Sequence, residues 1–380
     1  MARRATTQLQ VNVHRFLARR MERALRCGHA SAGPAPGRAG LGLGCLLSAV
    51  VLAGAVVLAV VRPQPGLGDA PIVLDRATGA LYVRVGEMMH PVFNLASARL
   101  IAGAADPRPV TGAAIGRARR GPPLGIPGAP GVLGPALAET ATWSLCDDPA
   151  GTTLIAGADP PQPAGIDPQE AVPVSSGSGA AYLLLRGRRI PVNPADPVLQ
   201  APRRLSGLLL NAIPEAPAAS IPDLGDHLAV LPGSSGGPSF ASPPSSLAGP
   251  PAAVTLCAHW RAGDPAGITL SAGPPLPAGA EPAVLAQADG PGPALDRVYL
   301  PPGRSAYVRA AGVSGQGGGA GYLIAETGVR YTVGDDAAAR SLGLPAVAAG
   351  APWPMLAGLP AGPRLSREQA LLTRDVVGGP

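Results

Sequence analysis

Residues 72–93, IVLDRATGALYVRVGEMMHPVF, decide the fold because their pattern returns twice, as VPVSSGSGAAYLLLRGRRIPV at 172–192 and VSGQGGGAGYLIAETGVRYTV at 313–333. In each copy a glycine-containing turn precedes an apolar strand centred on a tyrosine, Tyr82, Tyr182 or Tyr322. A polar turn holding Gly86, Gly187 or Gly328 then leads to a second short strand. Such runs between glycine turns predict β-hairpins. Helical spacing follows the first and third copies, at Asn94–Ile101 and Asp335–Leu342, so each of these units is expected to carry a helix on its hairpin. The second copy is the least complete. An isolated hairpin cannot bury a core, so the copies must pack on neighbours.

Between the first two copies stand GIPGAP at 125–130 and Trp143-Ser144-Leu145-Cys146-Asp147, and after the second stands Thr255-Leu256-Cys257-Ala258-His259-Trp260. A tryptophan close to each cysteine suggests two strands meeting in a central domain. The run PGSSGGPSFASPPSSLAGPP at 232–251 has the composition of a linker.

Upstream, residues 41–61 read LGLGCLLSAVVLAGAVVLAVV, without a charge. As a helix they would reach about 30 Å, the thickness of a bilayer's hydrocarbon core. A signal peptide has a shorter apolar core and a small-x-small cleavage site, whereas this run continues into Val60-Val61-Arg62-Pro63. Eight arginines and the single acid Glu22 precede the run, and only Arg62 and Arg76 lie in the twenty residues after it. The excess of positive charge predicts a cytoplasmic N-terminus, one crossing and an extracytoplasmic remainder.

Residues 6–26, TTQLQVNVHRFLARRMERALR, place Leu9, Val13, Phe16, Leu17, Met21 and Leu25 three or four positions apart, with arginines on the remaining face. This predicts an amphipathic helix, resting on the anionic inner leaflet or docking on a partner subunit. The prolines and glycines of SAGPAPGRAG, 31–40, predict a loose tether to the span.

The chain's formal charge of +6 is smaller than the +7 carried by residues 1–61 alone, which leaves −1 for residues 62–380. The basicity is thus a topology signal. No basic face remains outside the membrane to bind nucleic acid, and three phenylalanines give few rings for base stacking. Gly and Pro, 52 and 47 of 380 residues, require linkers somewhere.

The same topology sorts the cysteines. Cys27 and Cys45 fall in the cytoplasmic segment and the span, whereas Cys146 and Cys257 are outside. In an oxidising compartment such a pair is most economically a disulfide, stabilising by about 4–5 kcal/mol. Zinc held by Cys146, Cys257 and His259 is the rival, without a C-x-x-C or H-x-x-x-H spacing to support it.

Several of these residues together resemble the EccB subunit family of type VII (ESX) secretion systems. The resemblance is carried by Gly68-Asp69-Ala70-Pro71-Ile72-Val73, Gly79-Ala80-Leu81-Tyr82-Val83-Arg84, Asn94-Leu95-Ala96-Ser97-Ala98-Arg99-Leu100, GIPGAP, WSLCD, Ala351-Pro352-Trp353-Pro354 and Leu365-Ser366-Arg367-Glu368-Gln369-Ala370-Leu371-Leu372. It spans nearly the whole chain. It implies a core component of an actinobacterial inner-membrane secretion complex, docked through its cytoplasmic N-terminus to the EccC ATPase, EccD and EccE. It also implies periplasmic self-association, contact of the repeats with the cell wall and no cofactor. The chain departs from the family twice: one further repeat is contracted to the run at 234–250, and the cytoplasmic helix breaks at Gly28.

Because the family is sometimes described as ATPases, a phosphate site must be sought. A P-loop needs a lysine, and the chain has none. Gly315–Gly321, GQGGGAG, is expected to be a hairpin or linker turn. Gly233-Ser234-Ser235-Gly236-Gly237 satisfies G-x-S-x-G, yet Ser235 lies in a proline-rich run with no placed acid behind His227 or His259. His90 is expected to be a structural histidine and the three tyrosines hairpin anchors.

The expected fold is therefore α+β, a single N-terminal transmembrane helix followed by an elongated extracytoplasmic region of hairpin-rich repeats around a disulfide-linked central domain. Its expected parts are the cytoplasmic helix (1–30), the Gly/Pro linker (31–40), the span (41–61) and the first repeat (62–110). There follow the central domain's first part (111–170), the second repeat (171–230), a Pro/Ser/Gly linker (231–252), the central domain's second part (253–290), and the C-terminal repeat with its closing segment (291–380). No catalytic, cofactor-binding or metal residues are assigned, and the expected role is structural. The alternatives are an ATPase or hydrolase, and an anchored cell-wall-binding protein.

Overall fold

A computed structural model describes residues 8–28, 38–61, 67–138, 141–158, 164–166, 171–195, 202–217, 254–264, 267–312 and 317–374. They fall into two units, residues 1–64 and 65–380.

The first unit contains helices α1 (Gln8–Cys27) and α2 (Arg38–Val61). α2 begins within the stretch expected to be a tether, at Arg38 and not at Leu41. Its side chains are described only over 44–55. Among the described residues no helix is long and apolar enough to cross a membrane.

The second unit opens with β1 (Ile72–Asp75), β2 (Leu81–Val85) and β3 (Met88–Val92), an antiparallel meander. Helix α3 (Leu95–Ala102) then carries the chain to β4 (Arg108–Val110), parallel to β1. α4 (Gly112–Gly116) and β5 (Arg119–Arg120) close the sheet in the order β4-β1-β2-β3-β5. β5 thus extends the first repeat past residue 110. α3 starts at Asn94 because the side-chain oxygen of that residue accepts the Ser97 N–H, satisfying an otherwise orphaned donor of the first turn. The Asn94 amide in turn donates to the Ile126 carbonyl, and Ser97 Oγ accepts the Ile126 N–H, so GIPGAP is strapped across the start of α3.

The central sheet takes β6 (Thr142–Asp148), β7 (Gly151–Ala156) and β8 (Ala164–Gly165). The chain leaves it for the second repeat, β9 (Val172–Ser175), β10 (Ala181–Leu185), β11 (Arg188–Val192), β12 (Arg203–Arg204) and α5 (Gly207–Ala212). It returns through β13 (Leu256–Arg261), β14 (Ile268–Ala272), β15 (Ala283–Val284) and β16 (Arg297–Tyr299). The resulting order is β15-β16-β7-β6-β13-β14-β8. β16 lies beyond residue 290, where the central domain was expected to end, because it pairs in parallel with β7. The expected linker at 231–252 lies outside the described residues.

The third repeat comprises β17 (Ala306–Ala311), β18 (Gly317–Ile324), β19 (Arg330–Thr332), α6 (Asp336–Leu342), β20 (Ala349–Pro352) and α7 (Trp353–Leu356), followed by α8 (Arg367–Ala370). Its first strand precedes the quoted repeat, and the glycine-rich residues 317–321, expected to form a turn, lie in β18. Gly321 lets the Tyr307 ring lie close against that strand, with Oη 3.1 Å from where a Cβ would sit.

The three repeats share one topology, a fourth strand parallel to the first on the outer side of a three-stranded meander: β4-β1-β2-β3, β12-β9-β10-β11 and β20-β17-β18-β19. The first and third share a core of Ile72, Val83, Leu100, Leu323, Leu342 and Leu365 among others. The second packs Val174, Leu184 and Leu209 on Trp143, Leu154 and Trp260 of the central sheet.

Candidate functional site

β6 and β13 pair in register, so their alternating side chains form two ladders. On one face Trp143 opposes Trp260 and Leu145 opposes Ala258, all buried in the main core. On the other, Thr142 opposes Arg261, Ser144 opposes His259 and Cys146 opposes Cys257. Cys146 and Cys257 form a disulfide, with Cα atoms 4.0 Å apart. The two sulfurs of the rival zinc reading are therefore bonded to each other. Among the described residues no cluster of His, Cys, Asp and Glu could hold a metal ion.

His259 stands between two serines, with Nδ1 2.7 Å from Ser144 Oγ and Nε2 2.6 Å from Ser271 Oγ. A serine within hydrogen-bond reach of a histidine is half of a nucleophilic site. Here both serines and the imidazole are buried, and among the described residues no carboxylate orients the ring. Burial also pushes the imidazole pKa down to about 4. This is a satisfied polar layer in the sheet, closed to substrate.

Next to the disulfide, the second repeat is tied to the central sheet. The Ser206 N–H donates to Asp147 Oδ2 at 2.6 Å, and Arg203 donates to the carbonyls of Asp147, at 2.8 Å, and of Val254. Burial raises the Asp147 carboxyl above its usual range, against the Ser206 hydrogen bond and the Arg203 charge, and burial lowers the Arg203 guanidinium. Asp147 stands in the WSLCD stretch, and no local pattern joins it to Arg203, 56 residues away.

The other sequence-level candidates separate. Ser235 and His227 lie outside the described residues. His90 is buried, with Nδ1 2.9 Å from the Pro122 carbonyl, as expected for a structural histidine. Tyr82, Tyr182 and Tyr322 are partly buried against the repeat cores. Arginines cover two of them: the Arg189 guanidinium lies 5.6 Å from the Tyr182 ring centre and that of Arg330 lies 5.0 Å from Tyr322. Arg330 also lies 4.7 Å from the Trp353 ring. These arginines leave no signal in the sequence, since stacking joins residues on different strands and makes no local pattern.

On α1, the expected docking face is open: Val13, Phe16, Leu17, Met21 and Leu25 are all exposed, Leu25 by 82%. The side chain of Leu9 lies outside the described residues. Of the remaining basic face, Arg26 pairs with Glu22 one turn away at 2.8 Å.

Comparison with known proteins gives a consistent result. The family described as "Type VII secretion system ESX-1, transport TM domain B" matches residues 3–241 and 225–378. The "ESX-3 secretion system ATPase EccB3" of Mycolicibacterium smegmatis is 33% identical over 88% of this chain and 83% of its own length. The "ESX-5 secretion system ATPase EccB5" of Mycobacterium marinum is 29% identical over 98% and 94%. Among solved structures, a chain of the intact ESX-5 inner membrane complex matches with a TM-score of 0.64 and 27% identity, covering 100% of this chain and 98% of its own. A chain of the EccB3 dimer from the ESX-3 core complex matches with a TM-score of 0.59 and 30% identity, covering 80% and 100%.

Proposed function

Since the chain belongs to the EccB family of type VII secretion systems and is a structural core component of that machinery, we propose that it is held in the inner membrane by one crossing at residues 41–61. Residues 1–30 then lie in the cytoplasm and the disulfide-stapled repeats in the periplasm. The arginine asymmetry on the two sides of the apolar run supports this orientation.

Within the complex, α1 docks through Leu9, Val13, Phe16, Leu17, Met21 and Leu25 onto the membrane subunits EccC, EccD and EccE. The observation that carries the scaffold reading is the likeness of the whole chain to a subunit of the intact ESX-5 inner membrane complex. The relative that forms an EccB3 dimer supports self-association of the periplasmic part here too. Although relatives are named ATPases, this chain has no lysine to reach a nucleotide's phosphates. In this reading the energy for transport comes from EccC.

The test is a detergent pull-down on tagged full-length protein beside the same protein lacking residues 1–30, with mass spectrometry of what co-purifies. Recovery of EccC, EccD and EccE, lost on truncation, is the expected outcome. Recovery of none of them by either protein would overturn the scaffold reading and favour an anchored wall-binding protein.

A further inference from the structure

We propose that the Tyr322–Arg330–Trp353 stack of the third repeat is a carboxylate-recognition site for an acidic peptide segment of a protein partner. It stands on residues that the docking of α1 does not use.

The second repeat provides the internal control. Tyr182 pairs with Pro191 and Tyr322 with Thr332, so Arg189 and Arg330, each two residues before those partners, occupy the same position in their sheets. Each lies over its tyrosine. Each also meets an edge residue in a parallel bridge, Glu215 for Arg189 and Ala361 for Arg330.

The two arginines differ in what holds their guanidinium groups. Arg189 donates to the Leu210 carbonyl at 3.0 Å and pairs with Glu215 Oε2 at 3.7 Å. Arg330 has no carboxylate within ion-pair range among the described residues; its Nε is buried without a hydrogen-bond partner, as is that of Arg189, so the two sites differ at the carboxylate and not at Nε. Alanine, exposed, stands where the second repeat has the glutamate. The third repeat thus keeps the arginine of this ion pair and dispenses with the acid.

What it gains is Trp353, a residue 42% exposed whose ring lies on Arg330. Cation–π stacking against two rings holds the guanidinium plane in place, so less side-chain freedom is lost when a ligand binds. A planar fork with free N–H groups matches a carboxylate in two parallel hydrogen bonds. The occupant in the second repeat is itself a glutamate carboxylate, which favours that group over phosphate. The exposed Trp353 ring offers apolar contact to the rest of a peptide, as a free small anion could not use it.

The experiment titrates full-length protein in detergent, at low ionic strength, with a fluorescent peptide of alternating Gly and Glu, read by anisotropy. Arginines of α1 also attract this peptide, so the informative signal is the component lost in Ala361→Glu, which supplies the missing carboxylate from within. Binding weakened about tenfold in Ala361→Glu and in Arg330→Gln, but not in Arg189→Gln, is expected, that being the loss of one charge-assisted contact. An unchanged melting temperature of Ala361→Glu separates this from misfolding. Equal binding by the wild type and Ala361→Glu, equal binding of a Gly-Gln peptide, or displacement by inorganic phosphate more strongly than by acetate would overturn the proposal. None of these outcomes bears on the pull-down, so the scaffold reading stands or falls separately.

Discussion

Arg99 on α3 donates from Nη1 to the carbonyl of Leu342, 3.1 Å away, at the last residue of α6. The first and third repeats, 243 residues apart at this contact, are thereby joined helix to helix. The cation also sits where the helix dipole places negative charge. Beneath the contact lies the shared core of Leu100, Ile101, Ala338 and Leu342. Arg99 pairs on its outer side with Asp106, at 3.0 Å, but that carboxylate is 93% exposed.

The two halves of this arrangement should separate on mutation. Arg99→Met keeps the apolar stem and removes the hydrogen bond to Leu342, and is expected to cost about 1–2 kcal/mol. Asp106→Ala removes only a solvent-screened pair and should cost less than about 0.5 kcal/mol. Urea denaturation followed by tryptophan fluorescence measures both. Equal losses would mean that the hydrogen bond to α6 adds nothing beyond the surface pair within the first repeat.

The disulfide spans 111 residues, among them the whole second repeat. Replacing Cys146 and Cys257 by alanine together should therefore lower stability by about 4–5 kcal/mol, the chain-entropy value for a loop near this length. Because both sulfurs are buried, reductant should act slowly on the folded protein and quickly in denaturant. Thiol labelling with and without denaturant reads this directly, and rapid labelling of the native protein in mild reductant would contradict the buried geometry.

Much of this architecture was legible in the sequence and some was not, for physical reasons. The meanders were visible because Tyr82, Tyr182 and Tyr322 centre runs bounded by glycine turns. The cysteine pair was visible from compartment alone. The parallel fourth strands were hidden: Arg108-Pro109-Val110, Arg203-Arg204 and Ala349-Gly350-Ala351-Pro352 are too short and too poor in β-branched residues to show a period. Gly317–Gly321 reads as a turn by composition, and antiparallel pairing with β17 makes it a strand. The layer of Ser144, His259 and Ser271 joins residues up to 115 positions apart, beyond any local signal.

Asn94 and Asp335 cap corresponding helices of the first and third repeats, accepting from the N–H groups of Ser97 at 2.9 Å and Ala338 at 2.7 Å. Asp335→Ala should cost about 1 kcal/mol, the usual worth of a cap. Asn94→Ala should cost more, because it also removes the shorter of the two hydrogen bonds to the buried Ile126 carbonyl, leaving it the Ala129 N–H at 3.2 Å. Asn94→Asp distinguishes the two functions of the residue, since it keeps the cap and loses the donation. If Asn94→Asp were as stable as the wild type in thermal melts, the strap over GIPGAP would have no energetic weight.

His259 makes stability depend on pH in a direction that follows from its burial. Its folded pKa, about 4, lies below the ordinary 6.5, so between these values the unfolded chain binds the extra proton and unfolding is favoured as pH falls. The neutral imidazole carries no such penalty above pH 6.5, and the loss is complete below about 4, amounting to about 3 kcal/mol for a shift of this size. Asp147 opposes it: burial raises its folded pKa above 3.8, so its protonation on acidification favours the fold at the lower end of the same window. His259→Gln can keep hydrogen bonds toward Ser144 and Ser271 without the titration. Denaturation midpoints measured from pH 7 to 4 should fall for the wild type and flatten for His259→Gln. Parallel curves for the two proteins would show that the imidazole does not set the acid sensitivity.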